Sequence, residues 1–379
     1  GEVVVSFDRM NQILEFSEQD RIVTCQPGVI TATLQDFAQQ RGLFYPVDFA
    51  SSGSSQIGGN VSTNAGGIKV IRYGLTRDWI AGLKVVTGTG ALLDCNAGLI
   101  KNATGYDFRH LLIGAEGTLG LLAEIDVQLT VAPEPQVVMV MGVPNVGDLL
   151  QILQTFNAGL TLSAFEFFSD VALQKVRDHR GLPAPLAQSE AFYALVEFDE
   201  SANDAAEAAF AACMASGWVT DGVLSQSEAQ AAALWQLREG ISEAIAPYTP
   251  YKNDLSVRIS DVPEFLEDVD EYVAKSFPDF EVCWYGHIGD GNLHLNILRP
   301  ENMSVEEFFH HGHAMSPNIF ALVAERRGSI SAEHGVGLLK RDFLDFSRSA
   351  EEIKLMRGLK DLFDPHAIFN PNKLLPVVD

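Results

Sequence analysis

Two histidines lie seven residues apart in the segment WYGHIGDGNLHLN, which spans residues 284–296. The dipeptide Asp290-Gly291 between them favours a two-residue hairpin turn, and such a turn would pair His287 directly with His294. Directly opposed residues of a hairpin have Cβ atoms about 5 Å apart on one face, so that two imidazoles could bind one metal ion. A pair of stacked surface histidines would give the same pattern, and a metal site therefore needs support from elsewhere in the sequence.

The segment SISAEHGVGLLKR, residues 329–341, offers that support. Its β-branched and serine-rich start predicts a strand that runs into Glu333 and His334, and adjacent residues of a strand point to opposite sides. Glu333 could complete a set of two histidines and one carboxylate that leaves metal positions open for a substrate. His334 could then act as a general base, because an imidazole titrates near neutral pH. Spacing alone shows neither role.

A cluster of three histidines, His310, His311 and His313, is a weaker candidate for a metal site. The cluster lies in a predicted helix over residues 305–326, and helix residues one or two positions apart do not share a face. We therefore expect these imidazoles on a solvated helix surface.

The acidic excess of the chain limits the ligands that it can attract. With 26 basic and 50 acidic residues the formal net charge is −24, which disfavours binding to nucleic acids and to anionic membranes. An anionic substrate would require local cations. Arg238 and Lys252 are candidates for this role, although most arginine and lysine side chains simply lie on the surface.

Small residues are densest in SSGSSQIGGNVSTNAGG, residues 51–67. Glycines at this density allow backbone N–H groups to approach a phosphate or a heterocycle, and a flexible surface loop is the alternative. Ile57, Val61 and Ala65 recur at a spacing of four, which favours a packed element with glycines on its other side and hence ligand binding. The segment GAEGTLG at 114–120 could be an ordinary turn or a second part of the same site.

Several classes of protein are disfavoured by the remaining motifs. The segment GTGALL, residues 88–93, lacks the third glycine of a nicotinamide-binding motif and opens no helix, so a hairpin turn is the better interpretation. The four cysteines are scattered, which indicates reduced thiols rather than a disulfide framework. No apolar run reaches the roughly 18 residues that a membrane-spanning helix requires.

The order of predicted elements indicates two domains. Up to about residue 132 the chain reads as short strands interrupted by glycines, with one helix over residues 30–41, and the prolines within 133–136 mark a domain boundary. Beyond them strands and helices alternate, which predicts an α+β architecture with helices on one face of a mainly antiparallel sheet. The helices predicted there cover residues 146–156, 202–216, 228–245, 262–276 and 305–326.

These stretches together resemble the flavin-linked D-2-hydroxy-acid dehydrogenases of the vanillyl-alcohol oxidase superfamily. The likeness spans nearly the whole chain and is carried by IGGNVSTNAGG, RYG, NATGYDFRHLLIGAEGTLG, GHIGDGNLHLN, SAEHGVGLLK and DPHAIFNPNKLL. It implies an FAD-binding domain over residues 1–132, an α+β cap domain with an antiparallel sheet over 137–348, and a segment over 349–379 that returns to the FAD-binding domain. We expect further chain before residue 1, with a glycine-rich loop for the FAD pyrophosphate.

The resemblance also implies roles for individual residues. His287, His294 and Glu333 match ligands of a divalent metal, most often zinc, and His334 matches the catalytic base. The positions that match substrate-binding residues are Arg238, Ser242, Lys252 and Asn296. The positions that match FAD-binding residues are Pro46, Gly58, Gly59, Asn60, Asn64, Gly66, Gly67, Glu116, Gly117, Gly120 and Asn370. Two positions depart from the family pattern, since Ser242 replaces a threonine and Asn372 replaces a glycine.

The resemblance finally implies a reaction. Non-covalently bound FAD and a divalent metal would serve the oxidation of a D-2-hydroxy acid to the 2-oxo acid, with D-2-hydroxyglutarate preferred and D-lactate or glycolate as alternatives. Electrons would pass to a separate acceptor such as an electron-transfer flavoprotein or a quinone. The chain is expected in the cytoplasm, or in the mitochondrial matrix of a eukaryote, and is compatible with a homodimer. A metal-dependent hydrolase and a non-catalytic ligand-binding protein are the alternatives from other classes.

Overall fold

The computed structural model describes residues 3–375, and the chain divides into two compact units. The described residues of the first unit are 3–69, 73–132 and 333–375, and those of the second unit are 70–72 and 133–332. The outer limits of the predicted domains, at residues 1 and 379, lie outside the described residues.

The chain returns to the first unit at Glu333, earlier than the predicted limit after residue 348. Glu116 accounts for the earlier return. Its carboxylate accepts hydrogen bonds from the backbone N–H groups of Val336 (2.6 Å) and Gly337 (2.7 Å), which fasten this segment to the first unit. The sequence analysis had placed this segment in the cap domain, over residues 137–348.

Antiparallel strands form the sheets of both units. In chain order the strands are β1 Ile13–Ser17, β2 Ile22–Cys25, β3 Leu43–Phe44, β4 Ile80–Val86, β5 Leu92–Cys95, β6 Leu121–Gln128, β7 Thr130–Val131, β8 Gln136–Val143, β9 Leu162–Ser169, β10 Phe192–Asp199, β11 Asp221–Leu224, β12 Tyr251–Ser256, β13 Glu281–His287 and β14 Asn292–Leu298. The first unit has a sheet in the order β1-β2-β6-β4-β5 and a β3-β7 pair, and the second unit has a sheet in the order β11-β8-β10-β9-β13-β14-β12. The predicted α+β class is confirmed.

Most predicted helices are confirmed, with ends shifted by a few residues. The helices are α1 Thr31–Gln39, α2 Ile57–Thr63, α3 Val70–Tyr73, α4 Phe108–Leu112, α5 Asp148–Gly159, α6 Asp170–Arg180, α7 Asn203–Ala215, α8 Glu228–Glu239, α9 Ile241–Ala244, α10 Val262–Ser276, α11 Val305–Glu325 and α12 Ala350–Phe363. The helix predicted over 228–245 is divided at Gly240 into α8 and α9. Glycine weakens a helix interior because its backbone loses more conformational freedom than that of any other residue.

The core of the first unit lies between its five-stranded sheet and the helices α1 and α2. Strand β6 alternates, so that Ile125 and Val127 are buried while intervening residues are partly exposed. Ile57 and Val61 of α2 are fully buried in the same core, which confirms the packed element at these two positions, whereas Ala65 lies beyond the end of α2 and is only half-buried. The predicted GTGALL turn is also confirmed, since it joins the paired strands β4 and β5.

In the second unit the sheet contains a strand that is buried on both faces. Every residue of β9, with the sequence LSAFEFFS, is buried. The strand lies between β10 and β13, and α5 and α6 pack near it. A side chain of β9 is therefore held in the interior of this unit whichever face it projects from.

The strand predicted to run into Glu333 does not form. Only an isolated bridge joins Ser329 to Ser256, and the chain then bends. Side chains replace the ladder partners: the N–H of Ala332 donates to the carboxylate of Asp254 (3.1 Å), and the hydroxyl of Ser329 accepts the N–H of Ser331 (3.2 Å). Local bonds of this kind compete with strand pairing.

Candidate active site

The turn between β13 and β14 is four residues long, rather than the predicted two. His287 pairs with Asn292, whereas a two-residue turn would have paired it with His294. The backbone N–H of Gly289 donates to the carbonyl of Phe165 in β9 (3.2 Å), which holds Gly289 away from the hairpin ladder. The predicted register is therefore wrong by two residues.

A register shift of two residues nevertheless keeps each side chain on its face of the sheet. His294 now lies opposite Tyr285, and the two rings are 4.9 Å apart between centroids. His287 becomes the diagonal neighbour of His294, and the Nε2 atoms of the two imidazoles are 3.3 Å apart. The predicted meeting of these two histidines is confirmed within the second unit.

A carboxylate faces the other ring nitrogen of each imidazole. The Nδ1–H of His287 donates to Oε1 of Glu166 (2.8 Å), and Nδ1 of His294 lies 3.5 Å from Oδ1 of Asp254. Such partners place the ring proton on Nδ1 and direct the lone pair of Nε2 toward a metal ion. Both lone pairs would then point at the same space.

This donor geometry fits a divalent metal ion. Two zinc–nitrogen bonds of about 2.0–2.1 Å at a tetrahedral angle would place two nitrogens about 3.3 Å apart. The Nε2 atoms of His287 and His294 have this separation. Two lone pairs at such a distance repel each other unless a proton or a cation lies between them, so the pair is suited to hold a cation.

Glu166 occupies the centre of this arrangement and was not predicted from the sequence. Its side chain is 1% exposed, and its second oxygen, Oε2, lies 2.8 Å from Nη2 of Arg238. Burial opposes ionisation, but the hydrogen bond from His287 and the positive charge of Arg238 outweigh burial and hold the pKa of Glu166 below its usual range. The signal in the sequence was a single acid within the otherwise uncharged strand LSAFEFFS.

The four residues predicted to bind substrate gather around a fifth, Tyr285. The side chains of Ser242 and Asn296 lie near the hydroxyl of Tyr285, and the guanidinium carbon of Arg238 lies 4.7 Å from its ring centroid. Nζ of Lys252 donates to Oγ of Ser242 (3.2 Å). Burial raises the pKa of Tyr285, which keeps its hydroxyl protonated as a donor. The cluster combines two cations with three neutral hydrogen-bonding groups.

The first unit contains a cavity of about 950 Å³, which is large enough for a sizeable cofactor. Its walls come from α2, from the segment that leads into β6, and from the C-terminal tail around residues 367–373. The predicted FAD-binding residues that line it are Gly58, Gly59, Glu116, Gly117, Gly120 and Asn370. The two glycine-rich segments of the sequence therefore meet at one cavity.

Glycine is required for different physical reasons at different positions of this cavity. A Cβ at Gly58 would lie 2.5 Å from Cβ of Pro27, and a Cβ at Gly120 would lie 2.6 Å from Cγ1 of Val85. These two positions need glycine for close packing. A Cβ at Gly59 would have no atom within 4 Å, so the absence of its side chain leaves room in the cavity.

The other predicted FAD-binding positions are not among the residues that line the cavity. Pro46, Gly66 and Gly67 are buried. Asn60 donates from Nδ2 to Oγ1 of Thr31 (2.7 Å), and Asn64 accepts the backbone N–H of Arg77 at Oδ1 (3.0 Å). These bonds give the two asparagines a role in the local structure of the first unit.

Glu116 and Asn370 connect the cavity to the segment that carries the predicted base. Nδ2 of Asn370 donates to the backbone oxygen of Glu116 (2.6 Å), while the carboxylate of Glu116 holds the N–H groups of Val336 and Gly337. His334 is exposed at the start of this segment. It belongs to the first unit together with Glu333, whereas the histidine pair belongs to the second.

The three clustered histidines lie on helix α11, as predicted. His310 and His313 are exposed, and the partly exposed ring of His311 packs against the rings of Phe277 (5.8 Å) and Phe280 (6.1 Å). Helix α11 is also not apolar enough to cross a membrane, and no other helix within residues 3–375 is both long and apolar enough to do so.

The sequence is similar to known families and proteins over nearly all of its length. Residues 132–374 match the family described as FAD linked oxidases, C-terminal domain, and residues 1–96 match an FAD binding domain. A D-2-hydroxyglutarate dehydrogenase of Stutzerimonas stutzeri (strain A1501) is 56% identical over 377 residues, which are 99% of this chain and 81% of the relative. The mitochondrial D-2-hydroxyglutarate dehydrogenase of Bos taurus is 39% identical over 383 residues, 99% of this chain and 69% of the relative.

Solved structures share the fold at low sequence identity. An alkyldihydroxyacetonephosphate synthase matches with a TM-score of 0.71 and 17% identity, over 97% of this chain and 67% of that one. A 4-ethylphenol oxidase from Gulosibacter chungangensis matches with a TM-score of 0.70 and 17% identity, over 97% of this chain and 79% of that one. At this identity the likeness concerns the fold alone.

Proposed function

The chain belongs to the FAD-linked oxidases and is an oxidoreductase, and from this premise we propose that it oxidises D-2-hydroxyglutarate to the 2-oxo acid. The observation that carries the proposal is the pair of cations, Arg238 and Lys252, in one cluster with Tyr285, whose ring lies against His294. The family matches cover the glycine-rich segment 51–67 and the histidine segment, which argues against a metal-dependent hydrolase.

The cluster suits a substrate with two carboxylates. One end of D-2-hydroxyglutarate carries a carboxylate and the adjacent hydroxyl, and the other end carries a second carboxylate. Arg238 and Lys252 would hold the second carboxylate, with hydrogen bonds from Ser242 and Tyr285. D-Lactate and glycolate lack this group, so the cations would add nothing to their binding.

We propose that His287, His294 and Glu333 hold a divalent cation, of which zinc is one candidate. Support comes from the two convergent Nε2 atoms and from the carboxylates behind them. Glu333 directly follows Ala332, whose N–H is fixed by Asp254, the same carboxylate that faces His294. A cation held there would polarise the 2-hydroxyl group and lower its pKa.

His334 is the proposed general base, and it would accept the proton of the 2-hydroxyl oxygen on a ring nitrogen. Bound FAD would supply the acceptor for the hydride on C2, and the protein positions the two reacting groups. Gly59 would let the backbone approach this cofactor closely. A separate acceptor, such as an electron-transfer flavoprotein or a quinone, would reoxidise it.

An anaerobic screen of flavin reduction tests this proposal. The FAD-loaded, metal-loaded protein would be mixed with D-2-hydroxyglutarate, its L-enantiomer, D-lactate and glycolate, and bleaching of the flavin absorption followed. We expect D-2-hydroxyglutarate to reduce the flavin at the lowest concentration. Equal or better reduction by D-lactate would contradict the assignment of Arg238 and Lys252.

The variant His334→Ala isolates the proposed base. It should bind FAD and metal like the parent, yet reduce the flavin more slowly by about a hundredfold or more, which is the usual contribution of a general base. His310→Ala, on the exposed face of α11, is the matched control and should reduce at the parental rate. Parental reduction by His334→Ala would remove this residue from the mechanism.

A further inference from the structure

We propose that Glu166 is a positioning residue that couples the metal site to the recognition of the second carboxylate, so that a bound dicarboxylate tightens metal binding. The inference rests on the proposed function, because it assigns Arg238 to the substrate and His287 to the metal. It adds a thermodynamic link between two binding events that the proposed roles treat separately.

The two oxygens of Glu166 are divided between the two sites. Oε1 accepts the Nδ1–H of His287 and Oε2 contacts Nη2 of Arg238, both at 2.8 Å. Glu166 lies in the middle of β9, which is buried along its whole length. The carboxylate is 1% exposed, so water cannot readily compensate a change in the charge near one of its oxygens, and such a change alters the interaction of the other oxygen.

Arg238 retains donors for a ligand. Its residue is 6% exposed, and its Nε has no hydrogen-bond partner among the described residues. Buried guanidinium N–H groups without partners are unusual, because each one loses its hydrogen bonds to water. The free donors, next to the ring of Tyr285, are suited to receive a carboxylate that arrives with the substrate.

The direction of the coupling follows from charge. A carboxylate bound to Arg238 shares the positive charge that otherwise neutralises Glu166. Glu166 then attracts the Nδ1–H of His287 more strongly, and Nε2 of His287 becomes a better electron-pair donor to a cation. By linkage, metal binding must strengthen dicarboxylate binding by the same factor.

A pair of 2-oxo acids separates this effect from simple chelation. 2-Oxoglutarate and pyruvate present the same 2-oxo carboxylate end to a metal, but only 2-oxoglutarate carries a second carboxylate. Both leave oxidised FAD unreduced, so that affinities can be measured without turnover. The zinc dissociation constant of the FAD-loaded protein would be measured by competition with a chromophoric chelator, with each acid in turn.

In the parent protein, 2-oxoglutarate should lower the zinc dissociation constant about tenfold more than pyruvate does, within the usual range of coupling between sites. Glu166→Gln removes the charge with little change in volume. It should weaken zinc binding by about 10–100-fold and reduce the difference between the two acids to less than about twofold. Asp270→Asn is the matched control, a half-buried carboxylate of the same unit bonded to Trp284, and should keep the tenfold difference.

Glu166→Asp provides a second variant if Glu166→Gln does not fold. Its carboxylate keeps the charge but is too short to reach both partners, so the difference between the acids should again fall below about threefold. An undiminished difference in either variant would overturn the proposal. If the parent itself shows no flavin reduction by 2-hydroxy acids and no effect of either 2-oxo acid, the proposed function has failed instead.

Discussion

The cavity of the first unit differs in the kind of residue that forms it from the charged cluster of the second unit. The charged cluster comprises Arg238, Lys252 and their neighbours around Tyr285, together with Glu166 and His287. Four glycines, Gly58, Gly59, Gly117 and Gly120, are among the residues that line the cavity, and Gly59 contributes only the absence of a side chain. The cluster contains buried side chains of opposite charge in contact with one another, with Glu166 between Arg238 and His287. A substitution at Gly59 in the cavity can therefore weaken ligand binding without lowering the free energy of unfolding. A substitution at Arg238 in the cluster instead leaves a buried charge without its partner.

The largest effect is expected when the cluster loses its buried cation. Arg238→Ala leaves Glu166 without its arginine and should lower the free energy of unfolding by about 3–5 kcal/mol. Lys252→Ala removes an exposed cation from the same cluster, so it should raise the KM for D-2-hydroxyglutarate with little change in stability. Urea unfolding of both variants checks the difference.

Adding Glu166→Gln to Arg238→Ala provides the control for this interpretation. Because the uncompensated charge is removed, the double variant should be more stable than Arg238→Ala alone. If the double variant is less stable than Arg238→Ala alone, the destabilisation by Arg238→Ala comes from lost packing of the arginine stem rather than from an uncompensated charge.

In the cavity, two glycine substitutions should separate ligand binding from stability. Gly120→Ala forces a Cβ to within 2.6 Å of Val85 and should lower the free energy of unfolding by about 1–3 kcal/mol. Gly59→Leu projects into open space and replaces a helical glycine, so the apoprotein should gain about 0.5–1 kcal/mol while FAD binds at least tenfold more weakly.

Two measurements on the same samples suffice: the FAD dissociation constant by fluorescence, and unfolding of the apoprotein in urea. Gly59→Ala adds only one carbon and should affect FAD binding less than Gly59→Leu does. Equal destabilisation by Gly59→Leu and Gly120→Ala would mean that Gly59 faces packed protein, and the cofactor would have to bind elsewhere.

The two regions also differ in how far the sequence predicts them. The glycine-rich segment 51–67 was found by local spacing, because Ile57 and Val61 predict a packed helix, and Gly59 of that helix is exposed. The meeting of the two histidines was predicted correctly although the predicted register was wrong. A shift of two residues does not change which face of the sheet His287 and His294 occupy. Both successes depend on residues that are close together in the chain.

Glu166 could not be predicted in the same way. It lies 121 residues before His287, and the contact exists only because β9 pairs with β13 in the sheet. The four-residue turn has the same origin, since Phe165 of β9 binds the N–H of Gly289. Sheet order is a long-range property, and the sequence of one strand does not state which strand will be its neighbour.

Asp270, a half-buried acid of the second unit, differs from Glu166 in the direction of its pKa shift. Asp270 accepts a hydrogen bond from Nε1 of Trp284 (2.8 Å), and burial raises its pKa to about 6 from an ordinary value of 3.8. A raised folded-state pKa means that the folded protein holds a proton that the unfolded chain releases, so stability falls as the pH rises from about 4 to about 6. Glu166 has a lowered pKa because Arg238 and His287 compensate its charge.

Asp270→Asn should therefore stabilise the protein at neutral pH. Asparagine keeps an oxygen acceptor for Trp284 but cannot ionise, and the gain should be about 1–2 kcal/mol above about pH 7 and small at about pH 4. Urea unfolding at both pH values checks this. A gain of equal size at the two pH values would show that ionisation of Asp270 is not its cause.

The smallest effect is expected at Asn372, on the rim of the cavity. Its φ is +63°, a left-handed conformation that glycine adopts freely and asparagine tolerates better than most residues, which explains how the chain accommodates this departure from the family pattern. Asn372→Gly removes backbone strain from the folded state but increases the conformational entropy of the unfolded chain. Because these effects oppose each other, the free energy of unfolding should change by less than about 0.5 kcal/mol. Nη1 of Arg341 donates to the backbone oxygen of residue 372, which every substitution retains.

Asn372→Val is the matched test, because a β-branched residue is strained at this φ and should lower the free energy of unfolding by about 1–3 kcal/mol. FAD affinity should be unchanged in Asn372→Gly, since the bond from Arg341 reaches only the backbone. A large loss of FAD in Asn372→Gly would mean that the asparagine side chain itself binds the cofactor. In that case the cavity would depend on side-chain chemistry, as the charged cluster does, and the contrast between the two regions would not hold.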